Sequence, residues 1–111
     1  MTSKIFNAIE SLIKENNVVL FMKGTKSAPM CGFSGLVVQV LKKFNIDFQE
    51  VNILEDPEMR QGIKDFSQWP TLPQLYIKGE FIGGADIVKE MYQSGEFETL
   101  LSEKNLLKTA V

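Results

Sequence analysis

The chain has 111 residues, 44% of them hydrophobic and 23% charged, which excludes a disordered segment and suits one small domain over residues 1–111. Its 12 Lys and Arg against 14 Asp and Glu leave a net charge of −2, which argues against a nucleic-acid-binding surface. A single cysteine, Cys31, and the lack of histidine exclude an internal disulfide, a Cys–His or Ser–His catalytic pair, and a zinc site built from this chain alone.

Ile5, Phe6, Ile9, Leu12 and Ile13 recur at helical spacing, and Asn16-Asn17 predicts the end of that helix. Val18-Val19-Leu20-Phe21-Met22 follows without alternation, the pattern of a strand buried on both faces. Lys23 to Met30, with Gly24 and Pro29, predicts a loop. Leu36, Val37, Val40, Leu41 and Phe44 then mark a second helix that Asn45 can end, so Cys31 falls near its first turn. Phe48 to Asn52 predicts a second strand. Asp56-Pro57 predicts a helix start, with Asp56 as cap and Pro57 at the first helical position, and Met59, Ile63 and Phe66 line that helix.

Trp69-Pro70-Thr71-Leu72-Pro73 is too rich in proline for regular structure. Leu75 to Ile77, a Lys78-Gly79 turn and Phe81-Ile82 predict a hairpin. Gly83-Gly84-Ala85-Asp86 leads into a helix capped by Asp86, with Ile87, Val88, Met91 and Tyr92 expected to face inward. Ser94-Gly95 breaks it, and Phe97, Leu100, Leu101 and Leu106 predict a last helix, frayed over Leu107 to Val111. The order α, β-α-β, α, β-β-α, α predicts an α/β fold: a mixed sheet of four strands with helices on both faces.

No stretch approaches the roughly 20 apolar residues of a membrane span, so no membrane is expected. Met1 to Glu10 lacks a secretory or transit pattern. A lone thiol fits a reducing compartment, so the expected location is the bacterial cytoplasm or eukaryotic cytosol. A mitochondrial matrix protein with its targeting segment removed would read the same way.

Three places carry chemistry. At a helix N-terminus the dipole and free N–H groups stabilise a thiolate, so Cys31 has a depressed pKa if its sulfur is open, with Lys23 adding a positive charge. The competing reading is a packed, inert cysteine. The Leu72-Pro73 bond is a candidate cis bond next to an edge where an extended thiol peptide could pair; a simple turn reads equally well. Gly83-Gly84-Ala85-Asp86 offers N–H groups to a carboxylate, or is only a tight turn. Arg60 and Lys64, one turn apart, could take another carboxylate, or form a solvated face. A Cys-x5-Arg phosphatase loop is excluded by Val37, and no phosphate-binding glycine pattern occurs.

Taken together, Lys23-Gly24-Thr25, Pro29-Met30-Cys31-Gly32-Phe33-Ser34, Trp69-Pro70-Thr71-Leu72-Pro73-Gln74 and Gly83-Gly84-Ala85-Asp86 resemble a monothiol glutaredoxin of the C-G-F-S, single-domain type. The resemblance runs from the first helix to Tyr92. It implies a thioredoxin fold and a glutathione site. By position, Lys23 and Arg60 would hold the glycine carboxylate of glutathione. Thr71 and Leu72 would pair with its cysteinyl backbone beside a cis Pro73. Gly84, Ala85 and Asp86 would receive the γ-glutamyl end, and Phe33 would shape the pocket beside the Cys31 thiolate.

The resemblance further implies a 2Fe–2S cluster shared by a homodimer and passed to apo iron–sulfur proteins, with a BolA-like protein as a further partner. Ligand counting agrees: such a cluster takes four thiolates, and two chains with two glutathiones supply them. The alternative is a glutathione-dependent oxidoreductase that removes glutathione from mixed disulfides through Cys31. Many relatives carry a second cysteine where this chain has Ala85, so a route through an internal disulfide is closed here.

Overall fold

The computed structural model describes residues 4–107. The elements run α1 (Lys4–Glu15), β1 (Val18–Met22), α2 (Gly32–Lys43), β2 (Gln49–Asn52), α3 (Pro57–Ser67), β3 (Gln74–Ile77), β4 (Glu80–Gly83), α4 (Ala85–Ser94) and α5 (Glu96–Glu103). This is the expected order. The sheet order is β2-β1-β3-β4, with β1 parallel to β2 and β3 antiparallel to both β1 and β4.

All five residues of β1 are buried, because both faces of this inner strand are covered. Side chains alternate across a strand, and the two cores follow that parity. Val18, Leu20, Met22, Leu75 and Ile77 pack with Val37, Leu41, Val88, Phe97 and Leu101 on one face. Val19, Phe21 and Tyr76 pack with Ile9, Ile13, Met59 and Ile63 on the other. Helices α2, α4 and α5 therefore cover one face, and α1 and α3 the other.

The helix boundaries follow from local chemistry. Asp56 Oδ1 accepts the Met59 N–H at 3.1 Å, ahead of Pro57 at the first helical position. Asn45 closes α2 in the left-handed conformation (φ 54°). Its N–H donates to the Lys42 carbonyl at 3.0 Å and the Ile46 N–H to that of Leu41 at 3.0 Å, so the last carbonyls are satisfied by the turn itself. Asn105 repeats the device after α5, where the Leu106 N–H reaches the Leu101 carbonyl at 2.9 Å.

Four expectations need correction. Gly84, not Asp86, is the cap of α4: the Val88 N–H donates to the Gly84 carbonyl at 3.1 Å, so the helix starts earlier and Asp86 lies exposed in its first turn. Ile87 does not face inward but is 38% exposed, because the buried stripe of α4 runs through Ala85 and Val88. Phe48 precedes β2, and Leu106 lies beyond α5 although it still packs on the core. Of the segment expected to fray, Leu107 also packs against that core, and the remainder lies outside the described residues. Among the described residues no helix is long and apolar enough to cross a membrane.

Candidate functional site

Strand β1 ends at Met22 and α2 begins at Gly32, so the intervening loop delivers Cys31 to the carboxyl end of the sheet, where open α/β folds bind ligands. The loop closes on itself. The Met30 N–H donates to the Lys23 carbonyl at 2.9 Å, and the Thr25 and Ala28 N–H groups donate to each other's carbonyls at 3.2 and 3.1 Å. Gly24 is required there: its φ is +94°, and a Cβ would stand 2.6 Å from the Ala28 carbonyl oxygen.

The loop is also moored to β2. The Gly24 N–H donates to Asn52 Oδ1 at 2.9 Å, and the Lys26 N–H donates to Glu50 Oε2. Lys26 Nζ donates to the Phe48 carbonyl at 2.8 Å and lies 4.5 Å from the centre of the Phe48 ring.

Cys31 caps α2 with extended backbone, its carbonyl accepting the Gly35 N–H at 2.9 Å. Its sulfur is partly exposed. The neutral thiol makes no capping hydrogen bond, but the charged form is stabilised. The Ser34 amide holds the thiol pKa below its ordinary value, helped by the Phe33 amide, the Lys23 charge and the Ser34 hydroxyl, while partial burial opposes them. Ser34 is wholly buried, and its Oγ accepts the Lys23 N–H at 3.0 Å. One hydroxyl thus ties the end of β1 to the start of α2 beside the sulfur.

A groove of about 440 Å³ opens from Cys31. It is lined by Lys23, Cys31, Phe33, Arg60, Thr71, Leu72, Pro73, Gly84, Ala85 and Asp86, so the structure brings these residues, expected from the sequence, to one place, while Gly83 stays outside it. The Leu72-Pro73 bond is cis. Phe33 is 62% exposed, so it borders the groove without being packed into it.

Trp69, Pro70 and Ile87 also line the groove without any sequence pattern marking them as lining, and so does Lys64, whose sequence reading is open between a carboxylate partner and a solvated face. The spacing of Lys64 four residues after Arg60 on α3 was the available signal. For Ile87 it was its position off the Ala85–Val88 stripe. Cys31 also borders a shallower depression with Pro29, Met30, Gly32, Gly35, Leu36 and Gln39, so the sulfur stands between two recesses.

The groove brings a thiolate-prone sulfur together with three cationic side chains and the N-terminus of α4. Such a site suits an anionic, thiol-bearing ligand. Among the described residues no three His, Cys, Asp or Glu side chains gather to hold a metal ion. Cys31 is the chain's sole cysteine, so any further thiolate bound to a metal here would come from outside the chain.

Comparison with known proteins agrees with this geometry. The glutaredoxin family profile matches residues 18–82. A probable monothiol glutaredoxin 2 of Rickettsia typhi is 53% identical over 107 residues, covering 96% of each chain. The mitochondrial monothiol glutaredoxin-5 of Schizosaccharomyces pombe is 47% identical over 110 residues, covering 96% of this chain and 75% of its own.

Among solved structures, a monomeric truncated mutant of Trypanosoma brucei 1-C-Grx1 superposes with a TM-score of 0.86 at 36% identity, over 99% of this chain and all of its own. A buckwheat glutaredoxin solved as its glutathione complex shares the fold at 20% identity, with a TM-score of 0.81 over 94% and 93% of the two chains. A lone cysteine at the head of α2, on this sheet and at these identities, means that the chain belongs to the glutaredoxin family, among its monothiol members.

Proposed function

We propose that the groove binds glutathione and that the protein, as a homodimer, carries a bridging 2Fe–2S cluster that it hands to apo iron–sulfur proteins. The observation that carries this reading is the single thiol, open and biased toward the thiolate, at the junction of a cationic groove and a second recess. Glutathione is a thiol with a carboxylate at each end. Lys23 and Arg60, with Lys64 beside them, take the glycine carboxylate. Thr71 and Leu72, next to Pro73, flank the cysteinyl part. The backbone at Gly84, Ala85 and Asp86, at the start of α4, takes the γ-glutamyl end.

The cluster is cargo, and its ligands follow from counting. It takes four thiolates; the chain has one cysteine and no histidine. Two Cys31 thiolates and two glutathione thiolates complete the set. Two of the four ligands are then held only non-covalently, which makes the cluster easy to surrender. The presence of mitochondrial and chloroplast proteins among the monothiol relatives is compatible with several compartments. A BolA-like partner would share the same cluster in place of the second copy.

Anaerobic reconstitution with iron, sulfide and glutathione tests the reading. The expected result is a coloured dimer that reverts to a colourless monomer in Cys31→Ser. Folded wild-type protein that stays colourless and monomeric overturns it.

The lowered thiol pKa favours a second reading. In it the Cys31 thiolate attacks the glutathionyl sulfur of a mixed disulfide and releases the other thiol. A second glutathione thiolate then attacks the Cys31 adduct, forming oxidised glutathione and restoring Cys31. Rapid turnover of a small glutathionylated substrate by cluster-free protein distinguishes it.

A further inference from the structure

The Trp69–Pro73 segment lines the groove although it has no regular structure of its own. A buried amide holds it in shape. Gln74, the first residue of β3, is wholly buried. It shares a sheet face with Tyr76, two residues on. Its Nε2 carries two hydrogens, and both are used: one bond goes to the Trp69 carbonyl and one to the Thr71 carbonyl, each 3.2 Å long. Its Oε1 accepts the Tyr76 hydroxyl at 3.5 Å.

The two carbonyls fix which end of the amide is its nitrogen, and the longer Tyr76 contact lies on its oxygen side. Tyr76 is buried, and burial pushes its pKa up to about 12 against the opposing Ser67 hydroxyl, so it keeps its proton as a donor. The Ser67 hydroxyl also accepts the Trp69 N–H at 3.2 Å. Trp69 is thus gripped at both its amide and its carbonyl.

A buried primary amide is costly unless its bonds are made. Tyr76, the other β3 residue on that face, packs in a hydrophobic core, so the amide is polar where its neighbour on the strand is buried among apolar groups. What the amide adds is control of two carbonyls in the segment that lines the groove.

We infer that Gln74, oriented by Tyr76, is a positioning residue: it engages the Trp69 and Thr71 carbonyls from the protein interior and so sets how Thr71 and Leu72 meet the cysteinyl part of glutathione. This rests on the glutathione reading above. Gln74 does not touch the ligand itself. Its effect falls on affinity for the tripeptide and leaves the ionisation of Cys31 alone, because the groups that tune the sulfur lie on α2 and at Lys23.

The test uses wild-type protein, Gln74→Met and Tyr76→Phe. Methionine keeps the length of the side chain and removes the donors. Glutathione titration by calorimetry, well below the unfolding temperature of each variant, is expected to show affinity weakened about tenfold in Gln74→Met, with a smaller loss in Tyr76→Phe. The Cys31 pKa, followed by thiol alkylation, is expected to stay put. In the absence of glutathione the amide resonances of Thr71 and Leu72 should shift in both variants.

A folded Gln74→Met with wild-type affinity overturns the inference. Wild-type protein that binds no glutathione overturns the proposed function instead; unmoved Thr71 and Leu72 resonances would then still refute the positioning role. Should Gln74→Met not fold, the same resonances in Tyr76→Phe decide the matter.

Discussion

The segment that carries Cys31 and the segments around Thr71 and Gly84 line one groove but are engineered from different materials. Around Cys31 the work is electrostatic: amides at a helix start, a hydroxyl and a lysine charge act on one sulfur. Around Thr71 and Gly84 the work is shape: an irregular loop hung from Gln74, with a glycine packed against it. The difference separates reactivity from recognition, so a substitution in one region should leave the other's observable nearly untouched.

The strongest way to break that separation lies at Gly84. A Cβ there would stand 3.3 Å from the Pro73 carbonyl oxygen and 3.7 Å from Trp69 Nε1. Gly84→Val should push this wall out of place and weaken glutathione binding about tenfold or more, while alkylation kinetics report an unchanged thiol pKa. A coincident rise of the thiol pKa would show the two regions to be coupled.

Ser34→Ala is the mirror-image test. It removes a hydroxyl that helps hold the thiol pKa down and leaves the partly buried Lys23 N–H without its partner. The thiol pKa should rise only slightly, because the Ser34 amide, the largest influence holding it down, is retained in alanine. Unfolding in urea should show a loss of about 1 kcal/mol for the partly buried donor. Glutathione affinity measured on the folded protein should change little.

The smallest effect is a pH dependence. The folded pKa of Cys31 is depressed, so folding releases a proton between the folded pKa and the ordinary thiol range. Stability rises with pH through that window. The contribution is complete above the unfolded thiol pKa and is lost as pH falls through the folded one. Because the sulfur is partly exposed, the slope is shallow. Comparing denaturation midpoints of wild type and Cys31→Ser across that window checks it: the serine variant should be flatter.

Much of this was readable in the sequence, for reasons that differ by residue. The unbroken apolar run of β1 forecast an inner strand because burial on both faces removes alternation. Asp56-Pro57 and Asn45 forecast helix ends because capping is a local matter of a few neighbouring groups. Asp86 misled for the same local reason: a good capping residue stood beside a glycine that took the cap instead. Ser34 and Gln74 were out of reach as supports. Ser34 meets the Lys23 amide across eleven residues, and Gln74 acts only once β3 is buried, so neither role exists before the chain has folded. Trp69 and Ile87 were overlooked as lining because a groove belongs to several segments at once.

The Ser34 hydroxyl also has a mechanical meaning. It is the hinge pin at which strand and helix meet, and it feels the state of the neighbouring sulfur. In the proposed function that sulfur passes its negative charge to an iron atom or to another sulfur, and the pin then loses an electrostatic companion while keeping its grip on the strand. The Ser34 bond to the Lys23 amide does not depend on the charge of the sulfur, so the scaffold can stay still while the bonding of the sulfur changes.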